Sequence, residues 1–168
     1  MTNPLVSSDL DATEAFRHRQ VQIVGMGASA GGLDAISEFL ASMPSRTGMA
    51  FIVLQHQDPS RRGLLPELLR RITSMDVCEI SDSIEVRPDH VYVAPPSHDL
   101  AFSNEKLMPV EAADAHARYP IDSFFRALAA EKGQAAAGVV FSGMGTDGTA
   151  GLRAIQEEIG RASCRERV

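Results

Sequence analysis

Three polar residues, Ser29, His56 and Asp147, each follow a predicted buried strand and could together carry out acyl transfer. A serine hydroxyl becomes an effective nucleophile when a base takes its proton, and an imidazole serves as that base when a carboxylate orients it. The chain order here is Ser, His, Asp, whereas α/β-hydrolases have the order Ser, Asp, His. The three residues therefore predict a serine esterase or amidase of a separate lineage.

The residues around Ser29 favour a nucleophile. Residues 27–31 have the sequence GASAG, a G-x-S-x-G pattern between an apolar strand and an amphipathic helix. A sharp turn of this kind lifts the hydroxyl out of the sheet, and the N–H groups of the following helix face any oxyanion formed beside it. Backbone donors in this loop and around Met144 are the candidates for an oxyanion hole.

Each of the three residues also has a simpler interpretation. Ser29 could be only the N-cap of the helix, since serine is favoured there. His56 could be a loop histidine with its hydrogen bonds satisfied, and Asp147 could serve only the glycine-rich turn in which it stands. The joint occurrence of all three at predicted strand ends favours a catalytic triad over these alternatives.

The first loop has a second possible function, dinucleotide binding. Residues 25–30, GMGASA, fit the G-x-G-x-x-A pattern between a strand and a helix. That motif also requires an acidic residue about 20 positions further on, at the end of the second strand, to bind a ribose. The second predicted strand ends instead in Gln55 and His56, which disfavours a dinucleotide site.

The elements that must position the triad alternate between strands and helices. The predicted strands span 21–25, 49–54, 76–80, 89–94 and 136–141. The predicted helices span 32–43, 64–72, 123–132 and 151–157, and Asp122 opens the third of them. A small predicted hairpin joins 100–102 to 106–108. This alternation predicts an α/β fold, a three-layer sandwich with a mainly parallel, doubly wound, Rossmann-like sheet. Functional residues of such sheets gather at the carboxyl ends of the strands.

Composition narrows the class of protein. The 168 residues carry a formal net charge of -6 and contain 44% hydrophobic residues, which suits one soluble globular domain and argues against a nucleic-acid binder. Two cysteines cannot form a disulfide framework, and no signal peptide or membrane helix is evident, so a cytoplasmic location is expected. The histidines and cysteines show no zinc-ligand spacing. We therefore expect no metal, no cofactor and no membrane insertion.

The chain is expected to contain one folded domain between two other segments. Residues 1–19 are predicted to be a disordered lead-in, and 20–157 form the predicted catalytic domain. Residues 158–168 resemble the translation of a short-read sequencing adapter, so we expect this tail to be non-native and assign no function to Cys164 or its neighbours.

Five motifs together resemble those of a known family. GASAGG at 27–32, QH at 55–56, VYVAPP at 91–96, PID at 120–122 and SGMGTDG at 142–148 resemble, in the same order, the motifs of the chemotaxis protein-glutamate methylesterase (CheB-type) catalytic domain. The resemblance implies hydrolysis of glutamyl methyl esters on chemoreceptors, with deamidation of receptor glutamines as a related activity. It also implies that the catalytic residues are the Ser, His and Asp identified above.

The sequence departs from that family in three respects. Only about 20 residues precede the first strand, where the stand-alone enzymes carry a receiver domain, and Ala30 replaces their usual threonine. Both features are more similar to the methylesterase domain of fusion proteins with methyltransferase and sensor modules. The family's domain also continues past the last helix, so we expect the fold to be incomplete at its C-terminal end. The expected partners are the cytoplasmic helices of methylated chemoreceptors and such fused modules; the alternative is a non-catalytic docking or regulatory module.

Overall fold

The strands at the centre of the molecule are apolar on both faces. In the computed structural model, every residue of the first strand after Gln22 is buried, and so are the five central residues of the second strand. Such strands are typical of parallel sheets covered by helices on both sides. The structure describes residues 21–29, 31–55, 64–96, 98–111, 119–141 and 146–158, and the backbone of 161–164.

The described part of the chain forms strands and helices in alternation. The strands are β1 (Gln22–Ala28), β2 (Met49–Gln55), β3 (Asp76–Glu79), β4 (Ile84–Glu85), β5 (His90–Val93), β6 (His98–Ser103), β7 (Lys106–Glu111), β8 (Ala136–Val140) and β9 (Arg161–Cys164). The helices are α1 (Leu33–Ser42), α2 (Leu64–Ile72), α3 (Pro120–Lys132) and α4 (Thr149–Glu157), with a short 3-10 turn at Gly133–Ala135. None of the described helices is long and apolar enough to cross a membrane.

The sheet topology confirms the predicted α/β class. Six strands pair in the order β3-β5-β2-β1-β8-β9, and every pair is parallel. The chain leaves β1 towards β2 on one side and returns to β8 on the other side. The strand order therefore reverses at β1, which is the position where doubly wound sheets bind their ligands.

Helices cover both faces of this sheet. On one face, α1 and α2 pack through Ile36, Leu40, Leu65 and Leu69 onto alternate residues of β1, β2 and β5. The opposite face is covered by α3 and α4 and by a small antiparallel sheet with the order β4-β7-β6. These layers make the three-layer sandwich that the sequence predicts.

Two element boundaries near the predicted site differ from expectation. β1 continues to Ala28, where the sequence predicts an end at Gly25, because Gly25 and Gly27 lie inside the strand against side chains of α3. α3 begins at Pro120, so Asp122 lies within its first turn and does not precede it. Proline at the first helical position has a fixed φ suited to a helix start.

The segment predicted to be a non-native tail supplies one strand. The backbone of Arg161–Cys164 pairs in parallel with β8 at the edge of the sheet. Neither this strand nor the two-residue β4 was predicted from the sequence. The origin of the tail remains a prediction.

The Asp89 side chain stabilises the turn that leads from α1 into β2. Its Oδ1 accepts hydrogen bonds from the backbone N–H groups of Thr47, at 2.6 Å, and Gly48, at 2.8 Å. The bond from Gly48 is the largest cause that holds the pKa of Asp89 below its ordinary value of 3.8; bonds from Thr47 add to it and burial opposes it. The residue adopts a φ of 62°, which asparagine tolerates as well as aspartate.

Asp89→Asn is expected to lower the free energy of unfolding at pH 7 by about 0.5 kcal/mol, because a charge-assisted hydrogen bond becomes a neutral one near solvent. A lowered folded-state pKa stabilises the protein above pH 3.8, and this stabilisation disappears as the pH falls through the folded pKa. Urea midpoints of parent and variant should therefore differ at pH 7 and converge as the pH falls below 3.8 and through the folded-state pKa. Exposed Asp82 gives the control substitution, Asp82→Asn. If the urea midpoints of parent and Asp89→Asn differed equally at pH 7 and at low pH, the Asp89 charge could not be the cause of the difference.

Candidate active site

Ser29 lies directly after β1, at the point where the strand order reverses. Gly27 of β1 pairs with Val140 of β8, and Ala28 pairs with Gln55 of β2. Ser29 is therefore the first residue beyond the carboxyl end of the central strand, and it is half-buried. This is the position that the nucleophile interpretation requires.

The structure does not support a role for Ser29 as a simple helix cap. The N-cap of α1 is Gly32, three residues further on. The Ser29 carbonyl accepts a hydrogen bond from the Gly32 N–H at 2.9 Å, so a tight turn connects strand to helix. Gly32, and not Ser29, thus occupies the N-cap position of α1.

The packing of β1 disfavours the dinucleotide interpretation. A Cβ added at Gly27 would lie 2.6 Å from Ile121 Cγ2, and one added at Gly25 would lie 2.6 Å from Phe125 Cε1. In a dinucleotide motif, glycines give the turn its shape and let a pyrophosphate approach the backbone. Here both glycines lie within the strand, and side chains of α3 fill the space that they leave.

The same packing brings the N-terminus of α3 to the carboxyl end of β1. The Ile121 side chain, in the first turn of α3, occupies the space that a Cβ at Gly27 would need. Gly27 lies two residues before Ser29. Ile121 Cγ2 also lies 3.0 Å from the position of a Cβ at Gly148. One side chain therefore packs between the Ser29 strand and the segment that carries Asp147.

Asp147 is bound to the N-terminus of α3. Its Oδ1 accepts a hydrogen bond from the Asp122 N–H at 2.9 Å, and its Oδ2 accepts one from the Ile121 N–H at 3.2 Å. The first N–H groups of a helix lack partners within the helix and carry a partial positive charge, so they stabilise a carboxylate. The half-buried Asp147 carboxylate is thereby held in a defined orientation by contacts that lie outside its own turn.

The predicted base, His56, lies outside the described residues, and so do Ala30 and the Met144 region. β2 ends at the half-buried Gln55, opposite Ala28 in the register. The described residues thus place two of the three predicted catalytic residues, Ser29 and Asp147, at the same end of the sheet. They contain no group of three or more His, Cys, Asp or Glu residues able to hold a metal ion.

Comparison with known proteins identifies the family. The family model described as CheB methylesterase matches residues 24–167, a range that contains all three predicted catalytic positions. The chain belongs to the CheB methylesterase family. The resemblance carried by the five sequence motifs is confirmed.

Relatives and a solved structure agree with this assignment. The chain is 31% identical over 147 residues to a protein-glutamate methylesterase/protein-glutamine glutaminase 3 of Geobacter sulfurreducens, covering 84% of this chain and 40% of that protein. It is 30% identical over 142 residues to the corresponding protein of Escherichia coli K12, covering 81% of this chain and 40% of that protein. The chain thus spans about 40% of the length of these curated relatives.

The fold of the chain matches a crystal structure of the Thermotoga maritima CheB methylesterase catalytic domain. The TM-score is 0.78 at 26% sequence identity, and the match covers 85% of this chain and 78% of the other. A match of this extent includes the layers and the parallel sheet described above.

The contacts that hold Asp147 were not predicted from the sequence. The donors, the backbone N–H groups of Ile121 and Asp122, lie 26 and 25 positions from the carboxylate in the chain. Pro120 is the signal that would have indicated the true helix start, since proline is favoured at the first helical position, and a free helix N-terminus favours an acidic cap. No local pattern, however, specifies which distant carboxylate supplies that cap.

Proposed function

We propose that this chain is the catalytic domain of a protein-glutamate methylesterase in which Ser29 is the nucleophile, His56 the general base and Asp147 the residue that orients the base. The observation that carries the proposal is the position of Ser29 at the reversal point of the sheet, on a strand whose Gly27 packs against the helix end that binds Asp147. The family supplies the class of reaction. An ester hydrolase with this geometry needs no cofactor.

The proposed reaction proceeds through an acyl-enzyme. Ser29 Oγ attacks the γ-carbonyl carbon of a methylated glutamate while His56 takes the hydroxyl proton. The tetrahedral intermediate collapses, the bond to the methoxy oxygen breaks, and His56 returns the proton to release methanol. Water activated by His56 then hydrolyses the acyl-enzyme, which frees the glutamate carboxylate and restores the serine. Asp147 holds the required His56 tautomer and stabilises the imidazolium.

The proposed substrates are methylated glutamates on the cytoplasmic helices of chemoreceptors. Attack on a glutamine side chain by the same route would release ammonia, and the curated relatives are named for both activities. Fused methyltransferase and sensor modules are further proposed partners.

The direct test is methanol release from methylated chemoreceptor membranes mixed with the purified chain. The matched control uses the same receptors prepared without a methyl donor, so that only the ester is missing. We expect release from the methylated receptors alone. If a folded chain binds these receptors but releases no methanol, the docking-module interpretation replaces the esterase.

A further inference from the structure

Asp122 is a buried acid that the proposed reaction does not use. Only 9% of the residue is exposed, although it lies in the first turn of α3. Its Oδ1 accepts a hydrogen bond from the Gly151 N–H at 2.7 Å, in the first turn of α4. Asp122 therefore caps a different helix from the one to which it belongs.

The two carboxylates form a reciprocal cap between α3 and α4. Asp147, in the segment that leads into α4, accepts from the Ile121 and Asp122 N–H groups of α3. Asp122 of α3 accepts from α4 in return. The N-cap residues themselves, Tyr119 and Gly148, supply no side-chain cap to either helix. Each helix start is therefore satisfied by an acid from the other segment.

The absence of a side chain at Gly151 allows the two helices to approach closely enough for this arrangement. A Cβ at Gly151 would lie 2.6 Å from Phe125 Cβ and 3.0 Å from Asp122 Cα. The α4 backbone thus packs directly against α3. A shift of α4 away from Asp122 would also move the segment that carries Asp147.

We propose that Asp122 is a positioning residue for Asp147. By holding the start of α4 against α3, the Asp122 carboxylate keeps the Asp147 carboxylate in the orientation that its role towards His56 requires. This inference rests on the proposed function, since Asp147 must act on His56 for its orientation to affect the rate.

The test compares Asp122→Ala with Asp122→Asn in the full chain. Alanine removes the acceptor for the Gly151 N–H, whereas asparagine keeps an oxygen in the same place. We expect kcat for methanol release to fall by about 10- to 100-fold in Asp122→Ala, as small misplacements of catalytic groups do, with KM little changed. The kcat of Asp122→Asn should lie much closer to that of the parent than to that of Asp122→Ala. Asp82→Ala, the same substitution at an exposed residue, is the control.

A double-mutant cycle shows whether Asp122 acts through Asp147. In an Asp147→Ala background, Asp122→Ala should cause no further loss of kcat. An equal loss in both backgrounds would overturn the proposal, and so would an unchanged kcat in Asp122→Ala accompanied only by lower stability.

A readout independent of catalysis separates this proposal from the proposed function. The Ile121 N–H donates to Asp147, so its hydrogen exchange, followed by NMR, reports on that contact. Exchange should accelerate in Asp122→Ala and remain near the parent rate in Asp122→Asn. If the parent chain shows no esterase activity, the proposed function fails and this readout still tests the coupling. Unchanged Ile121 exchange in Asp122→Ala would overturn it.

Discussion

Ser29→Ala is expected to reduce kcat for methanol release by about 10⁶-fold, close to the effect of removing the whole triad. Nucleophile, base and orienting carboxylate act as a unit, so the loss of one leaves only the contribution of binding and oxyanion stabilisation. Receptor binding should persist, because the hydroxyl is not needed to hold the substrate. Methanol release and receptor co-sedimentation, measured on the same preparations, separate the two effects.

The matched control for this prediction is Ser42→Ala. Ser42 belongs to α1, the helix that follows Ser29, and its exposed hydroxyl donates to the Phe39 carbonyl at 2.7 Å. Its loss should leave kcat within about twofold of the parent, as surface substitutions do. A Ser29→Ala variant that keeps activity within about tenfold would exclude a serine nucleophile.

Covalent labelling tests the same nucleophile without any receptor. A fluorophosphonate probe reacts with an activated serine and adds a fixed mass that peptide mass spectrometry can locate. The label should fall on the peptide containing Ser29 and be absent from Ser29→Ala. Labelling of other serines alone would contradict the proposed site even if methanol were released.

The fold was predictable where the signal was a run of apolar residues. The second predicted strand, 49–54, differs from β2 by one residue, and the predicted helix at 64–72 coincides with α2. The central residues of β2 are buried, and α2 buries Leu65 and Leu69 on one face. Both patterns can be recognised within the segment itself, so local sequence contains the needed information.

The end of β1 was not predictable in the same way. Gly27 was predicted to lie in the turn after a strand that ends at Gly25, because glycine is common where the chain bends. In the structure Gly25 and Gly27 are both strand residues that make room for Phe125 and Ile121 of a helix about 100 positions further on. Only the tertiary contact distinguishes a turn glycine from one that permits close packing.

The candidate site also has features that were predictable from the sequence and features that were not. The positions of Ser29 and Asp147 after buried strands followed from the topology of a doubly wound sheet. The reciprocal capping by Asp122 and Asp147 did not, since it depends on how two helices cross. Sequence patterns therefore identified the candidate reactive groups, and the structure added the contacts that orient one of them.

Gly148→Ala is expected to lower the free energy of unfolding by about 3 kcal/mol. Gly148, the residue after Asp147, has a φ of 97°, and left-handed backbone costs an L-residue about 1–2 kcal/mol. The added Cβ would also lie 2.7 Å from Val140 Cγ2 and 3.0 Å from Ile121 Cγ2. Overpacking of this kind costs a further 1 kcal/mol or more, roughly.

Gly48→Ala separates the two contributions. Gly48 has a φ of 72° and no atom within 4 Å of an added Cβ, so only the backbone cost, about 1 kcal/mol, should appear in urea unfolding. Gly148→Ala should also reduce kcat, because relief of the contact with Ile121 displaces Asp147 from the start of α3, whereas Gly48→Ala should leave kcat unchanged. Equal losses of stability in the two variants would mean that Val140 and Ile121 give way freely. The packing around Ile121 could then not be what holds Asp147 beside the Ser29 strand.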